Sequence, residues 1–72
     1  MTLNELSQIL KEMYGEASKG EKVTMIYLFG IKFHNEIKEI GVKEVVEQSG
    51  LRISYQTELA KAVKLAKYVT AK

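Results

Sequence analysis

Side chains suited to binding a polyanion are concentrated near the C-terminal end of the chain, where cationic groups recur at helical spacing. Residues 51–72 contain five basic residues and one acid, whereas residues 1–50 contain six lysines and eight glutamates. Ammonium and guanidinium groups bind phosphate oxygens, and amide or hydroxyl groups read base edges in the major groove. The pattern therefore predicts a surface that contacts double-stranded DNA. Its candidate residues are Lys43, Arg52, Ser54, Gln56, Thr57, Lys61 and Lys64.

The predicted role of each candidate follows from its chemistry. At the start of a helix that enters the major groove, Gln56 can pair with adenine, Thr57 can place its methyl group against thymine, and Lys61 can donate to guanine. The predicted phosphate contacts are Arg52, Ser54, Lys64 and Lys43. Lysines at helical spacing usually form only a solvated surface. Here no acid lies on the same face, which favours the DNA-binding interpretation.

No combination of residues supports catalysis or metal binding. The chain has no cysteine and one histidine, His34, which excludes disulfides, thiolate sites and a protein-only zinc site. His34 is followed by Asn35 and Glu36, but no partner set for acid–base chemistry surrounds it in sequence. The five glycines are isolated and form no phosphate-binding loop. We expect a protein that is not an enzyme and needs no cofactor.

The composition predicts one ordered domain spanning residues 1–72. Of these residues 46% are hydrophobic and 28% are charged, which is typical of a folded globule rather than a disordered chain. The longest uncharged run, residues 23–31, is too short to cross a bilayer. The N-terminal sequence MTLNELSQIL lacks the basic start and long apolar centre of a signal peptide. We expect a cytoplasmic protein without membrane contact.

The first forty residues are predicted to be helical. Thr2 and Glu5 have the spacing of a capping box, and apolar residues at helical spacing predict a helix over about residues 3–14. Its end is left open toward Ala17, with Gly15 and then residues 18–20 supplying the stop and the loop. Residues 21–40 also have a helical apolar face, although residues 23–29 have the β-branched and aromatic content of a buried strand. No second strand is available to pair with them. One helix bent near Gly30, or two helices meeting there, is expected.

Residues 42–69 have the outline of a helix-turn-helix, with a short apolar helix, a turn at Gly50 and a longer amphipathic helix. Leu51 and Ile53 are predicted to fill the space between the two helices, and Ser54 to cap the second. Gln56 falls where the motif requires a buried aliphatic residue, so either the turn is one residue longer or Tyr55 points inward. The inward stripe of the second helix is predicted to be Tyr55, Leu59, Ala62, Val63, Ala66 and Val69.

Three fragments of the chain resemble small bacterial proteins with a helix-turn-helix-like domain. They are GEKVTMI at 20–26, LFGIKFHNEI at 28–37 and SYQTELAKAVKLAKYV at 54–69, and together they cover most of the chain. The resemblance implies an all-helical, cytoplasmic, DNA-binding domain. It implies no ligand and no catalytic residue.

The expected fold is all-α, a compact bundle of four to five helices that contains a helix-turn-helix. The expected function is binding of double-stranded DNA, as a transcriptional regulator or as a mobile-element or defence-associated factor, with a homodimer to reach two half-sites. Two alternatives remain open. One is a plain helical bundle, and the other is a protein-interaction module that docks through the LFGIKF segment or the last helix without touching DNA.

Overall fold

The computed structural model describes residues 1–70, and this part of the chain is helical without a strand. The helices are α1 (Leu3–Glu16), α2 (Lys22–Lys32), α3 (His34–Ile40), α4 (Val42–Ser49) and α5 (Tyr55–Leu65). Their Cα atoms have a radius of gyration of 10.7 Å. The prediction of a compact all-α bundle is confirmed. Lys72, which contributes to the C-terminal charge, lies outside the described residues.

The start of α1 is closed by the predicted capping box. The backbone amide of Glu5 donates to Thr2 Oγ1 at 3.1 Å, and the amide of Thr2 donates to Glu5 Oε1 at 2.8 Å. The helix continues past Tyr14 to Glu16, within the range toward Ala17 that the sequence left open, but Gly15 is not the stop that was predicted. Gly15 does not adopt the left-handed backbone with which a glycine ends a helix. The chain instead leaves the helix at Ala17, whose backbone is extended.

Residues 21–40 form two helices that meet at Phe33, not at Gly30. The amide of Phe33 still donates to the carbonyl of Phe29, and Phe33 O accepts from Ile37, both at 3.0 Å. Hydrogen bonding therefore continues across the junction, and α2 and α3 turn apolar side chains to the same core. Gly30 lies buried inside α2. It permits close helix packing rather than a bend.

The packing around Gly30 brings α2 and α5 into close contact. An ideal Cβ placed on Gly30 would lie 2.5 Å from Ala62 Cβ and 3.0 Å from Leu59 Cδ1. Carbon atoms in contact prefer about 3.5–4.0 Å, so only glycine fits this crossing without a shift. The α2–α5 contact is the most extensive helix pairing in the described chain.

One hydrophobic core is shared by all five helices. Its largest fully buried side chain is Phe29 of α2, and α1 packs most extensively on α4. The buried apolar residues are Leu6, Leu10, Ile26, Phe29, Ile37, Val45, Val46, Leu59, Ala62 and Val63. Two serines are also buried, and both donate to backbone carbonyls, Ser7 to Val45 at 3.4 Å and Ser49 to Val46 at 2.8 Å. The two helices of the predicted helix-turn-helix, α4 and α5, thus pack against α1 and α2 respectively.

No helix among residues 1–70 combines the length and the apolar character that crossing a bilayer requires.

Candidate nucleic-acid interface

The turn after α4 begins at Gly50, as the sequence predicts. Its backbone is left-handed, with φ +79° and ψ 8°, and its amide donates to the carbonyl of Glu47 at 3.2 Å. A side chain at this position would be strained, because L residues rarely adopt this conformation. Gly50 therefore ends α4 and redirects the chain toward α5.

The entry into α5 differs from the prediction at Ser54. The amide of Tyr55 donates to Arg52 O and that of Gln56 to Ile53 O, both at 3.0 Å, so a tight turn precedes the helix. Ser54 already has helical backbone angles, φ −59° and ψ −23°, and its side chain makes no capping hydrogen bond. An N-cap residue needs an extended backbone to aim its hydroxyl at the helix amides. Ser54 therefore occupies the predicted N-cap position but does not supply the expected capping hydrogen bond.

Of the two apolar residues in the turn, one packs against the core and the other is exposed to solvent. Leu51 packs against the core, as predicted, but Ile53 is 57% exposed and fills no space between the helices. Residues 50–54 separate the two helices, and Tyr55 packs inward against the core while Gln56 is half-buried. Of the two explanations considered for the unexpected position of Gln56, a longer turn and an inward Tyr55, the structure has both.

The solvent side of α5 carries three of the predicted site residues on one face. Thr57, Lys61 and Lys64 are all exposed, and their spacing of four and then three residues places them one above another. Leu59, Ala62 and Val63 point the opposite way into the core. Gln56 lies at the edge of the exposed face. The structure therefore places two predicted base-reading residues beside one predicted phosphate contact.

The other predicted phosphate contacts lie outside this face. Arg52 and Ser54 are exposed in the turn, one to three residues before α5 begins. Lys43 is exposed on α4, where Glu44 adjoins it and Glu47 lies one helical turn further on. A glutamate four residues away on the same helix, as Glu47 is, offsets the charge of Lys43, which makes Lys43 the weakest candidate of the set. The roles of all seven residues stay predictions.

The C-terminal end of α5 is shorter than predicted. The helix ends at Leu65, and the next residues form a turn in which the amide of Tyr68 donates to Leu65 O at 2.9 Å. The stripe of inward residues holds as far as the half-buried Ala66, whereas Val69 is 42% exposed. The prediction of a helix through residue 69 is wrong, because the final apolar residues find no core to bury against.

The single acid of the C-terminal region, Glu58, is turned toward α2. Its Oε2 accepts a hydrogen bond of 2.6 Å from the hydroxyl of Tyr27. This bond raises the pKa of Tyr27, because ionisation would remove the donor and leave two negative charges side by side. Sequence reasoning missed this pair, since periodicity places Glu58 at the flank of α5 but cannot tell which residue of α2 lies opposite.

A second contact that sequence reasoning missed joins α1 to the start of α5. The hydroxyls of Tyr14 and Tyr55 share a hydrogen bond of 3.0 Å, which raises the pKa of Tyr55, and their rings meet edge to face. Lys22 donates to the carbonyl of Tyr14 at 2.9 Å and lies 4.7 Å from the centre of its ring. This cluster fixes the beginning of α5 relative to the scaffold.

The described residues show no sign of a second kind of site. Among residues 1–70 no cluster of three or more His, Cys, Asp or Glu residues could hold a metal ion. In the same part of the chain every buried side-chain nitrogen or oxygen has a hydrogen-bond partner. A groove of about 480 Å³ between α1 and α4 is lined by Asn4, Glu5, Ser7, Gln8, Lys11 and Gln48. Apart from Lys11, the lining side chains bond within the protein, as Gln48 does to Asn4 at 2.7 Å.

Comparison with known proteins gave one match. The sequence model of a family described as "HTH-like domain" matches residues 2–72, which is nearly the whole chain. Neither a curated protein nor a solved structure matched.

Proposed function

The chain belongs to the HTH-like domain family, and we propose that it binds double-stranded DNA through the exposed face of α5. Membership confirms the resemblance noted in the sequence, and it indicates nucleic-acid binding in general, since the second helix of such a motif enters the major groove. Families of this kind are typically non-enzymatic. The observation that carries the proposal is the alignment of Thr57, Lys61 and Lys64 on one exposed face whose neighbouring acid is bonded elsewhere.

In the proposed complex the α5 face reads bases and the turn positions the helix. Thr57 and Lys61, together with Gln56 at the edge of the face, would contact base edges in the first two turns of α5. The phosphate contacts would come from Arg52 and Ser54 in the turn before α5, Lys64 on α5 and Lys43 on α4. The Tyr14–Tyr55 hydrogen bond supports this arrangement, because it holds the reading end of α5 in place.

The proposed role is transcriptional regulation, with a mobile-element or defence-associated factor as the alternative context. One helix of three turns reaches few base pairs, so specific binding calls for two copies on half-sites about 34 Å apart. We therefore include a homodimer on DNA in the proposal. Sedimentation of the protein with a duplex long enough for two half-sites would test it. A complex with two chains per duplex is expected, and a single chain at saturating protein would contradict the dimer.

The protein-interaction alternative through the LFGIKF segment has less support. Phe29 and Gly30 of this segment are buried, and Phe33 packs against the core with its ring centre 5.3 Å from that of Phe29. The aromatic residues that would anchor a partner are thus used inside the protein. Leu28 remains on the surface, and a single exposed leucine is ordinary for a soluble protein.

The proposal is tested by charge reversal on the α5 face. In Lys61→Glu/Lys64→Glu, binding of a mixed-sequence duplex should fall by roughly tenfold or more, because two cationic contacts become repulsive. The matched control is Lys11→Glu/Lys19→Glu, which makes the same change in net charge at exposed positions on α1 and the following loop. Fluorescence anisotropy at low salt measures both, and far-UV circular dichroism verifies that each variant is folded.

The control should lose only the small affinity that a change in net charge accounts for. Equal losses in the two double variants would mean that binding follows total charge and not the α5 face. Unchanged binding in Lys61→Glu/Lys64→Glu would remove α5 as the DNA-binding element.

A further inference from the structure

The hydrogen bond between Tyr27 and Glu58 lies beside the proposed DNA-binding face and joins it to α2. We infer that Tyr27 is a positioning residue for DNA binding. Its hydroxyl holds the Glu58 carboxylate against α2 and thereby leaves Lys61 free to contact DNA. The inference rests on the proposed function of α5, and it adds a residue on another helix that adjusts the charge of the DNA-binding face.

The spacing of Glu58 and Lys61 explains why a restraint is needed. On a helix, side chains three residues apart are neighbours, and an acid followed by a base at this spacing tends to form an ion pair. Glu58 is the only acid in residues 51–72, so it is the one carboxylate on α5 that can neutralise Lys61. If Glu58 were unrestrained, it would pair with Lys61 and compete with DNA for it.

The contact with Tyr27 is strong enough to hold the carboxylate. The distance from Tyr27 Oη to Glu58 Oε2 is 2.6 Å, within the range of a hydrogen bond to an ionised acceptor. Tyr27 and Glu58 are both half-buried, which excludes part of the water that would otherwise compete for the bond. Lys61, by contrast, is exposed. The carboxylate is therefore held on the α2 side of α5 while the ammonium group faces solvent.

Loss of the Tyr27 hydroxyl should weaken DNA binding without changing any residue on the DNA-binding face. In Tyr27→Phe, the freed Glu58 repels phosphates and pairs with Lys61, and we expect binding to a mixed-sequence duplex about two- to fivefold weaker. The salt dependence should change as well. Once Glu58 neutralises the Lys61 ammonium group, the protein displaces one fewer counterion from DNA, and the slope of log affinity against log salt becomes shallower by up to about one.

The decisive test is a double-mutant cycle between Tyr27→Phe and Glu58→Gln, read by anisotropy with the same duplex. Glu58→Gln alone should change affinity less than about twofold, because the carboxylate it replaces is already held away from DNA. Tyr27→Phe should have no effect in the Glu58→Gln background, since no acid remains to be released. The matched control is Ser7→Ala, which also removes a side-chain hydrogen bond between two helices but frees no carboxylate, and it should bind DNA as the wild type does.

Each outcome supports or overturns the inference. An equal loss from Tyr27→Phe in both backgrounds would mean that Tyr27 acts through stability alone, and a several-fold gain from Glu58→Gln alone would mean that Glu58 is not restrained. The Glu58→Gln result does not depend on Tyr27→Phe remaining folded. If wild-type protein binds no duplex at all, the proposed function falls and this inference falls with it. If the wild type binds and the cycle shows no coupling, only this inference is overturned.

Discussion

Gly30 offers a sharp test of the packing that positions α5, because replacing it with alanine sets two opposing effects against each other. Alanine favours a helix over glycine by about 0.5–1 kcal/mol, which would stabilise the protein. The added methyl group, however, would lie 2.5 Å from Ala62 Cβ, well inside the separation of about 3.5–4.0 Å that carbon atoms in contact prefer. Forcing such a group into a packed core costs about 1–3 kcal/mol. We expect the clash to prevail, with a net destabilisation of about 0.5–2 kcal/mol.

Gly15 supplies the matched control for this substitution. It also lies inside a helix without a positive φ, and a Cβ built on it would meet nothing within 4 Å. Gly15→Ala should therefore raise the free energy of unfolding by up to about 1 kcal/mol. That value is an upper limit, because Gly15 lies near the end of α1, where helix propensity contributes least. Urea unfolding followed by circular dichroism measures both variants, and a change of 1 kcal/mol corresponds to about 4–8 °C in melting temperature for a domain of this size.

A third variant identifies the clashing atom. In an Ala62→Gly background the methyl group nearest to the new side chain is absent, so Gly30→Ala should cost much less than it does in the wild type. If Gly30→Ala stabilises the wild-type protein as Gly15→Ala does, α2 and α5 are not in close contact at this point. The stated position of α5 against the scaffold would then be wrong.

Three further predictions concern the Thr2–Glu5 and Tyr27–Glu58 hydrogen bonds. Thr2→Ala should lower the free energy of unfolding by about 1 kcal/mol through loss of the cap, as measured by urea unfolding. The amide and hydroxyl of Thr2 lower the pKa of Glu5 below its ordinary 4.5. The wild type should therefore lose stability as pH falls below that value, and it should do so more steeply than Thr2→Ala. Parallel pH profiles of the two proteins would contradict this. At the alkaline end, the Glu58 bond raises the pKa of Tyr27 above its ordinary 10.0. This stabilising contribution is complete below pH 10 and is lost as pH rises through the raised pKa. The free energy of unfolding should therefore decline less steeply at alkaline pH in Tyr27→Phe than in the wild type. An identical decline in the two proteins would count against the bond.

Much of the fold was predictable from local features of the sequence. The Thr2–Glu5 capping box and the Gly50 turn depend on residues close together in the chain, and the structure confirms both. The apolar stripe of α5 also predicted its buried face correctly as far as Ala66. Local hydrogen bonding and helical periodicity are short-range properties, and they are therefore visible without knowledge of the tertiary structure.

Most of the errors and omissions come from packing between distant segments, and the error at Ser54 comes from the local backbone. Gly30 looked like a bend because the approach of Ala62 is not encoded near it in sequence. Ser54 looked like a cap because its residue type suits one, although the preceding turn gives it a helical backbone. The bond from Tyr27 to Glu58 joins residues 31 positions apart, and no periodicity could reveal it. Such features depend on how helices are placed against one another.

The central claim, that the exposed face of α5 binds DNA, is tested most directly by an NMR titration of isotope-labelled protein with a mixed-sequence duplex. Amide shifts concentrated in residues 52–64, strongest near Thr57 and Lys61 and diminishing as salt is raised, are the predicted result. Shifts concentrated in residues 27–37 instead, or no shifts at low salt, would contradict the claim.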